Sequence, residues 1–104
     1  MKLIITILIT STLFCLADGK SLYEKHCAKC HGLDGKGQTK MGQKLNAKDY
    51  TDVKVQTDLK DTAAIKAVKD GFVDKEGKIL MKPSDELSDT ETKSVIAYMR
   101  TFKK

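Results

Sequence analysis

The sequence predicts an all-α domain in which three main helices are joined by long loops wrapped around a large bound group. Apolar residues recur at helical spacing in segments 21–31, 61–70 and 88–102, and each segment has a recognisable beginning or end. The intervening segments, 32–50 and 73–87, contain most of the glycines and the single proline, which is typical of loops. Long loops are uncommon in a small domain, so we expect these to pack on something other than the chain itself.

The ends of the three helices carry their own signals. Ser21 and Glu24 form a capping box at the start of the first helix, and Ser88 and Glu91 form another before the third. Gly71 follows the second helix, at the position where glycine commonly ends one. These residues predict where the first and third helices begin and where the second ends.

The N-terminal segment has the pattern of an export signal. Lys2 is followed by a mostly apolar run over residues 3–16, and the run ends at the small residue Ala17. A short basic start, an apolar stretch and a small-residue cleavage site define a secretory signal peptide. The sequence therefore predicts a signal peptide at 1–17, a mature domain at 18–104, and a periplasmic or otherwise exported location.

Two other interpretations of this segment are weaker. A permanent membrane anchor needs roughly 20 apolar residues; this run is shorter, so no stable anchor is expected. A lipoprotein would be acylated at Cys15, but the bulky Phe14 before it suits that processing poorly.

Removal of the segment leaves Cys27 and Cys30 as the thiols of the mature domain. Because small domains commonly need a covalent or metal staple, we expect these two cysteines to hold it.

The chemistry of the chain is concentrated in Cys27-Ala28-Lys29-Cys30-His31. C-x-x-C-H is the attachment signature of c-type haem. Residues three and four apart lie on the same face of a helix, so both thiols can bond to the vinyl groups of one porphyrin while the imidazole lies beneath the iron. The sequence therefore predicts one haem c, bound covalently through Cys27 and Cys30, with His31 on the iron. Export agrees with this, because the attachment is made outside the cytoplasm.

Two haem-free interpretations of the same motif remain open. A disulfide-exchange C-x-x-C would lie at the start of a helix within a βαβ pattern, whereas this pair lies at a helix end. A structural zinc site would need four ligands, usually with a second ligand pair. The other histidine, His26, directly precedes Cys27 and is expected to be a solvated surface residue.

The sixth iron ligand is expected to be Met81. A methionine thioether favours electron transfer and raises the reduction potential. Met81 lies in the loop between the second and third helices, 50 residues after His31, which is enough chain to reach the opposite face of the haem. Met41, only ten residues after His31, is the alternative. Met99 belongs to the apolar stripe of the last helix, so we expect it to fill the core.

Four pieces of the chain occur in an order typical of one known family, and together they span nearly the whole mature domain. They are Leu22-Tyr23 before the C-x-x-C-H motif, the helix end at 67–71, Met81-Lys82-Pro83, and the segment 87–100. In this order the chain resembles the small class I cytochromes c, particularly the bacterial monohaem type. It departs from many of them in one place, since Lys82 separates Met81 from Pro83.

The resemblance implies the cytochrome c fold, in which the first and last helices cross and haem lies in a crevice with one edge exposed. It also implies His31 as the proximal and Met81 as the distal iron ligand. Tyr23 and Tyr98 are expected to pack where the helices cross. The crevice is expected to be lined by six apolar residues: Leu45, Ile65, Val68, Ile79, Leu80 and Val95.

The function predicted from these observations is transfer of single electrons, with no substrate transformed and therefore no enzymatic activity. The first rival function is a haem enzyme or gas sensor with an open sixth position. The second is the haem-free thiol-redox or zinc module. The chain has no isolated basic run or known nucleic-acid motif, so no nucleic acid is expected as a partner.

Lysines flank both the motif and the Met81 loop. They could surround the haem edge and attract an acidic redox partner, or they could belong to a generally lysine-rich surface, because acidic residues are interspersed. We expect redox proteins as partners and a monomeric chain. The flanking lysines are Lys25, Lys29, Lys36, Lys40, Lys78 and Lys82.

Overall fold

The computed structural model describes the backbone of residues 14–104 and the side chains of residues 18–104. Within this part of the chain it contains six helices and one two-stranded ribbon, so the predicted all-α class is confirmed. Three of the helices are long, and the other three have only four to six residues. Residues 1–13 of the predicted signal peptide lie outside the described residues. The elements are α1 Phe14–His26, α2 Ala28–His31, α3 Lys40–Leu45, α4 Val53–Asp58, α5 Asp61–Asp70, β1 Phe72–Val73, β2 Ile79–Met81 and α6 Asp89–Arg100.

The fold is built on the packing of α1 against α6. Gly19 is buried at this contact, and a side chain there would collide with the carbonyl of Ser94. The ring centroid of Tyr23 on α1 lies 5.4 Å from that of Tyr98 and 5.2 Å from that of Phe102. Aromatic rings at these separations stabilise a core beyond the area they bury. The predicted packing of Tyr23 and Tyr98 where the terminal helices meet is therefore confirmed.

The predicted start of the first helix was wrong. Helix α1 already includes Ser21 and begins at Phe14, so Ser21 does not cap it. A capping box is a local signal, whereas the extension depends on the contact of Gly19 with α6, which is distant in sequence. Tertiary packing here overrides the local signal.

The other predicted helix ends agree with the structure. Helix α5 spans Asp61–Asp70 and is followed by Gly71 at φ 79°, a conformation that glycine adopts without steric cost. The capping box before α6 is present: Ser88 Oγ accepts from the backbone N–H of Glu91 at 3.1 Å, and Glu91 Oε1 accepts from that of Ser88 at 3.0 Å. This reciprocal pair satisfies two donors that a helix start would otherwise leave unpaired.

Two short helices lie in segments without helical periodicity. Thr39 caps α3 by accepting from the backbone N–H of Gly42 at 2.8 Å. Asp52 caps α4 by accepting from that of Lys54 at 2.8 Å. A helix of six residues is too short to show a repeating apolar stripe in the sequence. The N-cap residue is therefore the main local signal for each of these helices.

Helix α4 is attached to α6 by a polar network. The amide of Gln56, which is 5% exposed, donates to the carbonyls of Tyr50 at 2.7 Å and Met99 at 3.2 Å. Arg100 donates to the Gln56 carbonyl at 2.7 Å and to a carboxylate oxygen of Asp61 at 2.6 Å. Buried polar groups need such partners, and this network fixes α4, α5 and α6 to one another.

The segment predicted as a loop after α5 contains the antiparallel ribbon. Phe72 pairs with Met81 and Val73 with Ile79, with an irregularity between the two pairs. The turn is closed by Asp74, whose carboxylate accepts hydrogen bonds from the backbone N–H groups of Glu76 and Lys78, each at 2.9 Å.

Among the described helices, none is long and apolar enough to span a bilayer.

Candidate haem site

The C-x-x-C-H motif forms one turn at the junction of α1 and α2. The backbone N–H of Cys27 donates to the carbonyl of Tyr23 at 2.8 Å, and the backbone N–H of His31 donates to the carbonyl of Cys27 at 3.0 Å. Helical bonding therefore runs through Cys27, although its backbone (φ −120°, ψ −31°) departs from helical values. The side chains of Cys27 and His31 consequently lie one turn apart, with Cys30 between them in sequence.

The two cysteines are free thiols in a protected position. Cys27 is 8% exposed and Cys30 is half-buried. The pKa of Cys27 is raised to about 11, mainly because the thiol is buried and to a smaller extent because Cys30 lies beside it. At neutral pH this group is therefore a thiol and not a thiolate. Disulfide exchange requires a thiolate, which functional C-x-x-C sites obtain by lowering the pKa, so the raised pKa of Cys27 does not favour the thiol-redox interpretation.

The imidazole of His31 is suited to binding iron. Burial lowers its pKa, so the ring is neutral at pH 7, the form in which histidine ligates metals. Its ring centroid lies 5.2 Å from that of Tyr50. Among the described residues, its Nδ1 is the one buried side-chain polar atom without a hydrogen-bond partner. Such atoms are rare in folded proteins. Among the described residues no hydrogen bond occupies this ring, which leaves the imidazole available to a metal.

Three carbonyls at the end of α2 are engaged by other parts of the chain, those of Cys30, His31 and the following Gly32. The hydroxyl of Thr39 donates to Cys30 at 2.7 Å, the backbone N–H of Gly37 donates to His31 at 2.8 Å, and the hydroxyl of Tyr23 donates to Gly32 at 2.7 Å. The last carbonyls of a helix have no partner within it. These three bonds therefore fix the segment that carries Cys30 and His31.

The three methionines within residues 18–104 occupy different environments. Met81 is half-buried and packs against a buried cluster that contains Cys27. Met41 is 37% exposed, on α3. Met99 is 6% exposed and belongs to a second cluster, with Ala64 and Ile96, so the expectation that it fills the core is confirmed.

The predicted crevice residues divide between the two clusters. Val68 and Val95 are buried in the cluster with Cys27. Ile65 packs against the second cluster instead, which contains Ile96 and Met99 of α6, and its place in the crevice stays a prediction. Leu45 and Leu80 are half-buried and Ile79 is exposed.

Apolar side chains are left exposed beside Met81. Phe72 is 55%, Val73 54% and Ile79 57% exposed, and all three lie on the ribbon. Adjacent large apolar side chains exposed to water are unusual in a small protein and mark a binding surface. Their position beside Met81 fits an apolar cofactor that packs against the ribbon.

The described residues do not support a zinc site. They contain no group of three or more histidine, cysteine, aspartate or glutamate side chains that could hold a metal ion. A structural zinc ion needs four ligands.

A helical fold with a C-x-x-C-H turn, two protected thiols and a neutral, unpaired imidazole defines a c-type cytochrome. Known proteins agree, since residues 16–103 match the family model of cytochrome c. Cytochrome c-554(547) of Halothiobacillus neapolitanus is 32% identical over 92 residues, which cover 84% of this chain and 96% of that protein.

Solved structures give the same result. The KustC0563 c-type cytochrome is similar with a TM-score of 0.70 and 34% identity, over 84% of this chain and 99% of that chain. A tyrosine-to-phenylalanine variant of Kustc0563 gives a TM-score of 0.67 and 32% identity, over 83% and 99%. The chain therefore belongs to the cytochrome c family as a small class I, electron-transfer cytochrome. Its cofactor is covalently bound c-type haem.

Two residues that support the site were not identified from the sequence as doing so. Thr39 could have been recognised as a helix N-cap, because a threonine before a helix is a known signal, but its bond to the Cys30 carbonyl is a tertiary contact. Tyr23 was expected only to pack. Its hydroxyl bond to Gly32 joins residues nine apart across the motif, and no local pattern indicates it.

The bond from Tyr23 to Gly32 predicts a stability difference between two tyrosine variants. Tyr23→Phe removes a buried hydrogen bond and is expected to lower the free energy of unfolding by about 1 kcal/mol, equivalent to a fall in Tm of about 4–8 °C. Tyr98→Phe is the control, since the Tyr98 hydroxyl makes no hydrogen bond within the described residues. Thermal unfolding of both holo-variants measures the difference, and equal losses would contradict this role for the Tyr23 hydroxyl.

Proposed function

We propose that this protein carries single electrons by means of one haem bonded to Cys27 and Cys30, with His31 and Met81 as the iron ligands. The observation that carries the proposal is the packing of Met81 against the buried cluster that contains Cys27. The exposed Met41 and the separately buried Met99 lack that contact. Met81 is therefore the methionine best placed to complete the iron coordination.

The residues around this site serve to keep it unchanged while an electron passes. When bound, the haem supplies the ferrous–ferric couple. A thioether from Met81 favours the reduced state and raises the reduction potential, and so does an apolar environment. The bonds that engage the Cys30, His31 and Gly32 carbonyls hold the proximal side rigid. If His31 and Met81 both bind the iron, no position on it would be open to a substrate, so we propose that the protein is not an enzyme.

Export is part of the same proposal. The segment 1–17 has the pattern of a cleavable signal, and haem attachment to C-x-x-C-H takes place outside the cytoplasm. We propose a mature protein of residues 18–104 in the periplasm or an equivalent exported compartment.

The proposed partners are acidic redox proteins that dock beside the haem. Of the six flanking lysines, five are exposed and Lys36 is half-buried. The ion pairs among the described residues use Lys54, Lys69 and Arg100 and none of the six. Their charges are therefore available to attract an acidic surface, which increases the association rate at low ionic strength.

The ligand assignment is tested by Met81→Ala with Met41→Ala as the matched control. Met81→Ala is expected to remove the thioether–iron charge-transfer band from the ferric spectrum, to lower the reduction potential, and to let added imidazole bind the iron. Met41→Ala is expected to keep the band, the potential and the resistance to imidazole. Visible spectroscopy and potentiometric titration of both holo-proteins measure these properties.

Two results would contradict the assignment in different ways. Loss of the band in Met41→Ala alone would make Met41 the ligand. A parent protein with no band, which already binds imidazole readily, would favour the haem enzyme or gas sensor with an open sixth position.

The docking proposal is tested by reversing one charge beside Met81. Lys82→Glu is expected to slow electron transfer with a strongly acidic redox protein severalfold at low ionic strength. The difference should disappear near 1 M salt, where the screening length is about 3 Å. Lys66→Glu, on the exposed side of α5, is the control for net charge. Stopped-flow rates across a salt series measure the effect; rates independent of salt, or equal losses in both variants, would refute the docking site.

A further inference from the structure

Gly71 has a backbone conformation that excludes ordinary side chains. Its φ is 79° and its ψ is −176°, a region essentially restricted to glycine. It is the residue between α5 and the first ribbon strand, which begins at Phe72. The chain therefore turns from the helix directly into the ribbon that carries Met81.

The space beside Gly71 is filled by the segment that contains Met81. A Cβ atom built on Gly71 would lie 2.6 Å from the carbonyl oxygen of Met81 and 3.0 Å from Cδ of Pro83. The first distance is shorter than any stable contact between such atoms. A methyl group at residue 71 would therefore displace the backbone of Met81 itself.

A second contact ties the same segment to α5. The backbone N–H of Ser84 donates to the carbonyl of Val68 at 2.7 Å, and the Val68 side chain is buried in the cluster that contains Cys27. Met81 otherwise belongs to a strand of three residues paired with a strand of two, and so small a ribbon has little stability of its own. Its position is consequently set by the end of α5.

We propose that Gly71 is a positioning residue for the iron ligand Met81, an inference that rests on the proposed function. Its missing side chain lets the Met81–Pro83 segment lie directly on the end of α5. That contact joins the segment of Met81 to the same buried cluster as Cys27, and so fixes the position of Met81 relative to the residues that would hold the haem. Lys82 lies between Met81 and Pro83, and the two groups that lie against Gly71 are the Met81 carbonyl and the Pro83 ring.

The test compares Gly71→Ala with Gly77→Ala. Gly77 also has a positive φ, 82°, but a Cβ there meets nothing within 4 Å. Both substitutions place alanine at a positive φ, so each is expected to lower the ratio of folded to unfolded protein, roughly 5- to 30-fold or more. Only Gly71→Ala is expected to weaken the thioether–iron band, lower the reduction potential and admit imidazole, all measured on folded holo-protein well below its Tm.

Pro83→Ala and the double variant Gly71→Ala/Pro83→Ala complete the design. The double variant removes the ring atom at 3.0 Å and supplies a folded sample if Gly71→Ala alone does not fold. It should still show a weakened band, because the collision with the Met81 carbonyl remains, whereas Pro83→Ala alone should keep the band.

Each outcome has one meaning. A full band and unchanged potential in Gly71→Ala or in the double variant would overturn the inference, and so would equal spectral losses in Gly71→Ala and Gly77→Ala. Met81→Ala is the reference: if it retains the band, the proposed ligation fails. If it loses the band while Gly71→Ala keeps it, the positioning role alone fails.

Discussion

The structure depends on one helical turn, from Cys27 to His31, being held in a single position. The crossing of α1 and α6 places the start of this turn, since Tyr23 packs against Tyr98 and Phe102 one turn before Cys27. The end of the turn is fixed by the bonds to the Cys30, His31 and Gly32 carbonyls. Tyr23 takes part in both, because its ring packs in the helix crossing and its hydroxyl reaches across the motif. Tyr23 therefore links the packing of the terminal helices to the geometry of the haem site.

Burial has a second consequence, which is electrostatic. It raises the pKa of Cys27 and lowers that of His31, because desolvation disfavours the charged form of either group. Both donors are therefore neutral at physiological pH, and the described site contains no buried charge that a haem would have to neutralise. The burial that suits the turn to a porphyrin also keeps Cys27 protonated, which does not favour thiol exchange.

The sequence predicted what local rules determine. The end of α5 followed from Gly71, the start of α6 from the Ser88 capping box, and the chemistry of the motif from its spacing. The start of α1 could not be predicted, since it depends on Gly19 meeting Ser94 of α6. Helices α3 and α4 lacked a periodic stripe, although Thr39 and Asp52 were available as caps. The support of the Met81 segment by Gly71 joins residues ten apart through a backbone contact, and no spacing of side chains indicates it.

The most direct test of the account is mass spectrometry of the protein after export from cells that attach haem. The account predicts the mass of residues 18–104 plus one haem, with the added mass on the peptide that contains Cys27, Cys30 and His31, and with neither thiol open to alkylation. A bare polypeptide mass with both thiols alkylated would contradict it.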